Sequence, residues 1–214
     1  MADVTFRYAT SADVDRILEI VNAVPGDEAV ALMGSEKLAL EYDEGLVRLD
    51  PIPNKSRVTA LAMIDDRVVG VIQYQFGDAP HHSRVDVLKL LIKVLGPIGF
   101  LRRLPAIRSR LTVDIDVPTD SLFITNFHVE EAARGQDVAR QMLVWAEAEA
   151  HRIGARNMSL TTIPTYVAGL RVYEKYGFKT TKTVTSPSYE KYTGIKGRVF
   201  LEKELEPVEA EPGA

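Results

Sequence analysis

Residues 121–178 read SLFITNFHVEEAARGQDVARQMLVWAEAEAHRIGARNMSLTTIPTYVAGLRVYEKYGF. Ser121 to Val129 is mostly β-branched and aromatic, the composition of a strand. A polar turn, EEAARGQD, follows. Val138 to Ile153 then keeps Val138, Met142, Trp145 and Ala146 on one helical face, and Gly154 is the natural stop. Asn157 to Ile163 reads as a strand, and Tyr166 to Tyr176 as a helix ended by Gly177. A strand feeding a glycine-containing turn that opens a helix makes an anion site. The first-turn amides lack intrahelical partners, and the helix dipole favours negative charge there. A diphosphate fits such a site, and Arg134 and Arg140 add positive charge on either side of it.

On the N-terminal side, Val4 to Tyr8 alternates as a short strand. Thr10 is placed to cap the amide of Asp13. Val14, Ile17, Leu18 and Val21 keep helical spacing, and Pro25-Gly26 ends that helix. Glu28 to Tyr42 predicts a second helix, weakened by Gly34. Val58 to Ile64, a turn at Asp65-Asp66, and Arg67 to Phe76 form a hairpin. Arg84 to Arg110 mixes apolar and basic residues and predicts one or two short helices, divided at Gly96-Pro97-Ile98-Gly99 and stopped near Pro105. After residue 178, strands are expected over Lys179 to Thr185 and Arg198 to Leu205, joined by a long polar loop. The order is β-α-α-β-β-insert-β-α-β-α-β-β. It predicts an α/β (α+β) fold with a mixed sheet of about seven strands flanked by helices, and a helical insert before the fourth strand. The expected layout is a single domain over residues 1–205, with the insert at 84–110 and a disordered acidic tail at 206–214.

Composition narrows the function classes. The chain has 214 residues and a net charge of -4. Non-specific nucleic-acid binding needs clustered excess cations, so no nucleic-acid partner is expected. There is no cysteine, which removes disulfides, thiolate catalysis and cysteine-ligated zinc. His81, His82, His128 and His151 have no metal-motif spacing, so no metal is expected. The N-terminus has no signal-peptide pattern. The apolar stretch from Val85 to Leu101 is interrupted by Lys89, Lys93 and two glycines. A soluble, cytoplasmic chain is the expectation. The basic insert offers three roles: covering a core edge or shaping an acceptor pocket, forming a homodimer contact, or touching a membrane. Packing is preferred over membrane contact. A P-loop fails for want of its lysine, and a dinucleotide fold fails for want of Gly-x-Gly-x-x-Gly after a strand.

The chain resembles the GNAT acetyltransferases. Their pyrophosphate loop, Gln/Arg-x-x-Gly-x-Gly/Ala after a strand ending in Val, is matched by Arg134-Gly135-Gln136-Asp137-Val138-Ala139 behind Phe127-His128-Val129. Their later Leu-Tyr-Glu-x-x-Gly-Phe is matched by Val172-Tyr173-Glu174-Lys175-Tyr176-Gly177-Phe178. The resemblance covers nearly the whole chain except the insert and the tail. It implies acetyl-CoA as co-substrate, no metal, and direct attack by a primary amine of a small molecule or protein. It places the cofactor against Phe127, His128, Val129, Arg134, Gly135, Gln136, Asp137, Val138, Ala139, Arg140, Tyr166 and Tyr173. Tyr173 takes the position that protonates the departing thiolate. His128 is the strand's candidate base, and packing beside the cofactor is its alternative role.

There are two departures. Asp137 stands where the family prefers glycine; it can cap the helix, but it brings a carboxylate to the phosphates. Tyr166 stands where the family often has Asn. A catalytically weakened acyl-CoA-binding or regulatory module is the alternative reading. Glu130 and Glu131 read as solvated turn residues; Tyr189 and Tyr192 either line the acceptor side or stand as exposed loop residues, the latter being preferred.

Overall fold

The hairpin at the centre of the chain turns on Asp65 and Asp66, both with positive φ (48° and 62°). That twist suits a two-residue connection between antiparallel strands. From it grows a seven-stranded sheet, seen in a computed structural model that describes residues 3–23, 26–49, 51–54, 57–77 and 83–206. The strands are β1 (Thr5–Tyr8), β2 (Arg57–Ile64), β3 (Arg67–Phe76), β4 (Ser121–Val129), β5 (Asn157–Thr162), β6 (Lys179–Thr185) and β7 (Gly197–Glu204). Their order is β1-β2-β3-β4-β5-β7-β6. Every pairing is antiparallel except β4 with β5.

The helices are α1 (Val14–Val21), α2 (Asp27–Met33), α3 (Glu36–Leu49), α4 (Arg84–Arg110), α5 (Val138–Arg152), α6 (Val167–Lys175) and α7 (Pro187–Thr193). On one face of the sheet, Val138, Met142, Leu143 and Ala146 of α5 pack on Ala62, Ile72, Leu122 and Met158. Tyr173 of α6 and Phe178 join the same core. On the other face, Ile17 and Ile20 of α1 pack on Leu61 and Val71. Trp145, on the expected face of α5, stacks on Phe6 with ring centroids 5.5 Å apart. Glu149 is buried, yet it accepts from the hydroxyls of Tyr8 and Tyr74 at 2.8 Å each and from Arg152 at 2.7 Å. These bonds offset the cost of desolvating a carboxylate.

The sequence expectations need three corrections. The single helix over 28–42 is two helices. Gly34 (φ +93°) ends α2 in the left-handed region, and the Arg103 guanidinium fills the space where a Cβ would sit. Arg103 donates to the carbonyl of Ala31 at 3.4 Å, which ties α4 to the end of α2. The insert breaks at Gly96 (φ 67°, ψ 163°), with Pro97 opening the second segment. Pro105 does not stop it. Proline deprives the Leu101 carbonyl of its helical donor, and at this exposed position water can replace that donor.

The polar loop after β6 contains α7. Ser186 caps it by accepting from the Tyr189 amide at 3.3 Å, and Pro187 occupies the first turn. Thr10 and Asp13 form a reciprocal capping box, as expected for Thr10: its side chain faces the Asp13 amide, and its own amide donates to the Asp13 carboxylate, which also pairs with Arg7 at 2.6 Å. Pro25, His81, His82 and the tail from residue 207 lie outside the described residues.

Gly34→Ala should lower unfolding stability by about 1–2 kcal/mol in urea denaturation, because alanine resists positive φ and its Cβ meets the Arg103 guanidinium. An unchanged midpoint would mean that the α2–α3 break relaxes freely.

Candidate active site

Strands β4 and β5 begin together and then part. Their pairing runs from Ser121↔Asn157 to Ile124↔Leu160 and stops there. Beyond that point β5 follows β7 to Thr162↔Val199, while β4 follows β3 to Val129↔Gly70. A bulge at Thr125 marks the divergence, and its hydroxyl donates to the Gln73 carbonyl at 3.1 Å. The Glu130 amide donates to Val69 of β3 at 2.8 Å. Backbone direction alternates along a strand, so the amides of Phe127 and Val129 point to the opposite edge, into the gap. Side chains alternate too. Phe127 and Val129 pack with the α5 core, while His128 lies opposite Val71 on the α1 face.

Below the gap the chain turns into α5. Gly135 has φ +78° with nothing near a Cβ, so it is needed for conformation rather than space. Asp137 has φ +65°, a left-handed conformation that glycine adopts freely and aspartate tolerates. Asp137 stands at the N-cap position but makes no capping bond, which corrects the expected cap. Its carboxylate instead accepts from Arg140 Nε at 2.8 Å. The first-turn amides of Val138, Ala139 and Arg140 therefore have no protein acceptor among the described residues. Arg134 and Gln136 are exposed beside them, and Val138 is buried beneath. This is a cradle of donors that can hold phosphate oxygens.

Tyr173 is 7% exposed and meets Phe127 edge-on with ring centroids 5.8 Å apart. Among the described residues no group hydrogen-bonds to its hydroxyl. Burial pushes the phenol well above its usual range, so it stays protonated at neutral pH. Tyr166 caps the start of α6 with its ring laid over Gly169, where a Cβ would approach within 2.1 Å. His128 is held below the usual imidazole range, first by burial and then by the Arg134 charge. It is therefore neutral near pH 7, with a free lone pair. The structure thus brings Phe127, Val129, Tyr173 and the turn to one side of the parted strands, and sets His128 on the other.

Two features escaped sequence reading. Glu130 is not a solvated turn residue: it accepts from Arg16 of α1 at 2.8 Å and from Arg67 of β3, which fixes the end of β4. Tyr189 is not exposed. It is wholly buried and donates to Glu28 at 2.7 Å. Arg198 bridges Glu28 (2.8 Å) and Thr161 (3.0 Å), joining α2 to the free end of β5. The Ser186-Pro187 pair was a legible helix start; the long-range partners of Glu28 left no sequence signal. Asp43 lies near this wall without a hydrogen bond or ion pair among the described residues. Burial and the Glu28 charge push it up to about 6. Among the described residues no group of three or more His, Asp or Glu is placed to hold a metal.

The family model described as "Acetyltransferase (GNAT) family" matches residues 30–178. A search of the curated proteins found no match. Among solved structures, the ribosomal-protein-S18-alanine N-acetyltransferase from Escherichia coli is similar at 12% identity and a TM-score of 0.55, covering 99% of each chain. A Bacillus subtilis acetyltransferase in complex with CoA shares 15% identity at a TM-score of 0.56, covering 95% of this chain and 100% of its own. The PaiA N-acetyltransferase from Thermoplasma acidophilum in complex with coenzyme A shares 13% identity at 0.56, covering 94% and 99%. At these identities the likeness establishes the fold, a GNAT acyl-CoA N-acyltransferase fold with a helical segment before β4.

The folded state holds the Asp43 proton more tightly than the unfolded chain, so this group favours folding in acid. That advantage is lost as pH rises from the ordinary carboxylate range through about 6. Asp43→Asn should accordingly raise stability at about pH 8 and leave it unchanged near pH 4, read by denaturant titration across pH. Destabilisation at both pH values would show that the carboxylate has a partner.

Proposed function

The chain belongs to the GNAT acetyltransferase family, and on that premise we propose that it transfers the acetyl group of acetyl-CoA to a primary amine by direct attack. The observation that carries this reading is the open edge of β4 at Phe127 and Val129, continuous with the unpartnered amides that open α5. An extended amide-bearing arm can pair with the first, and a diphosphate with the second. The residues present therefore fit acetyl-CoA, whose contribution is an activated acetyl thioester.

The protein's own groups divide the rest of the work. A strand amide, of Phe127 or Val129, donates to the thioester oxygen as negative charge develops on it. His128, neutral and on the α1 face, takes the proton released by the incoming ammonium, directly or through water. The nitrogen then attacks the carbonyl carbon; a C–N bond forms and the C–S bond breaks. Tyr173, on the α5 side, gives its phenolic proton to the leaving sulfur, and the second proton of the acylated nitrogen passes through water to restore the phenol. Base and acid thus stand on opposite faces of the sheet, as a reaction passing through the gap requires. Arg134, Gly135, Gln136, Asp137, Val138, Ala139 and Arg140 cradle the diphosphate, and Tyr166 borders the opposite wall. Asp137 argues less for decay than its charge suggests, since it supplies the left-handed backbone and turns its carboxylate onto Arg140.

Isothermal titration with acetyl-CoA and with CoA tests the site directly. Ala139→Glu should abolish binding, because a further carboxylate enters the phosphate cradle; normal affinity in that variant would displace the assigned loop.

Tyr173→Phe should lower turnover in an amine-library screen by about 100-fold while leaving acetyl-CoA affinity within a few-fold. An unchanged rate would reduce Tyr173 to a core aromatic.

A further inference from the structure

Helix α4 packs with one face only. Leu90, Leu91 and Ala106 are buried against Leu32, Met33 and Ala39 of α2 and α3. The opposite face carries Val85, Leu88 and Ile92 before the Gly96 kink, and Ile98 and Leu101 after it. These are exposed at 58%, 45%, 38%, 69% and 67%. Within each segment their spacing (85, 88, 92 and then 98, 101) keeps them on one face, so both sides of the kink carry an exposed apolar stripe. Exposed Arg84, Lys89, Lys93, Arg102 and Arg108 flank that stripe. The helix holds seven Lys and Arg residues against one acid, Asp86, in a chain whose net charge is -4. Lys89 neutralises Asp86 at 3.6 Å. The positive charge is thus gathered beside the largest run of exposed apolar side chains, while the rest of the chain is acidic.

We infer that this face of α4 docks on an anionic lipid bilayer, lying in the interface with Ile98 and Leu101 as its deepest side chains. An apolar stripe flanked by cations matches the boundary between acyl chains and anionic headgroups. Among the described residues no helix is long and apolar enough to cross a membrane, so the contact lies on the surface. The charge pattern decides against a second copy as occupant. A two-fold contact through this face would set lysines and arginines against their own copies. Sequence spacing favoured packing as the role of this segment. The structure shows that packing consumes only half of it.

The test is co-sedimentation of the full chain with vesicles of equal phosphatidylglycerol and phosphatidylcholine, and with pure phosphatidylcholine vesicles. Binding is expected to the mixed vesicles at low salt, weakening as salt rises, with little on neutral vesicles. Ile98→Asp with Leu101→Asp should reduce it by about tenfold or more. Both side chains are exposed, so melting temperature and circular dichroism should be unchanged. Should that pair fail to fold, Lys89→Glu with Lys93→Glu tests the same face. No binding at low salt, equal binding to neutral vesicles, or binding untouched by folded variants would overturn the inference. So would a concentration-dependent dimer in sedimentation velocity that the same variants abolish.

Discussion

A strand that leaves its neighbour halfway along must leave backbone donors and acceptors without partners. Folded proteins avoid this inside a sheet, because an unsatisfied backbone group costs about as much as a lost hydrogen bond. Here β4 and β5 share four residue pairs and then separate, although both continue as strands. The outer neighbours make the separation possible. β3 holds β4 to its end, and β7 holds β5. The proposed acetyl-transfer site borders that opening.

Several otherwise unrelated contacts support this arrangement. The Thr125 bulge bends β4 away and is secured by a hydroxyl bond to the Gln73 carbonyl. Arg16 and Arg67 grip Glu130 just past the strand, so the edge amides keep their direction. On the other side Arg198 holds Thr161 beyond the last β4–β5 pair and is itself anchored on Glu28. The two banks of the opening are thus tied to different helices, α1 for one and α2 for the other. The buried contacts of α5 fix the third side: Met142 lies so close to Gly70 that a Cβ there would approach its sulfur within 2.7 Å. A side chain at position 70 would press on the helix whose first-turn amides are proposed to hold the diphosphate.

Most of the fold was legible because its elements follow local rules. Alternation announced β1, a turn between two apolar runs announced β2 and β3, β-branched and aromatic composition announced β4, a helical stripe announced α5, and glycines at 154 and 177 ended helices where the chain stops them. The turn at 134–137 and Tyr173 were legible through motif order, and their spatial association could be expected from it. Gly34 was noticed but underweighted, since its positive φ and the Arg103 guanidinium above it are tertiary facts. The bonding of Glu130, Glu28 and Arg198 was invisible, because partners 37 to 170 residues apart leave no mark in spacing. Asp137 is the instructive mixture. Its departure from glycine was plain, but the backbone conformation it preserves, and the turn of its carboxylate to Arg140, needed coordinates.

The outer strand β6 reads KTTKTVT and is exposed along almost its whole length. Its free side is a row of backbone groups, the kind of rim on which another chain can add a strand. Lys179 and Lys182 stand on it, and a second chain arriving in register would have to desolvate or repel them. Threonine keeps the strand extended without making it sticky. A protein crowded against its own copies, at high expression or at a surface, meets such rims often. The choice of residues in β6 therefore bears less on what this molecule does than on its remaining a separate particle while doing it.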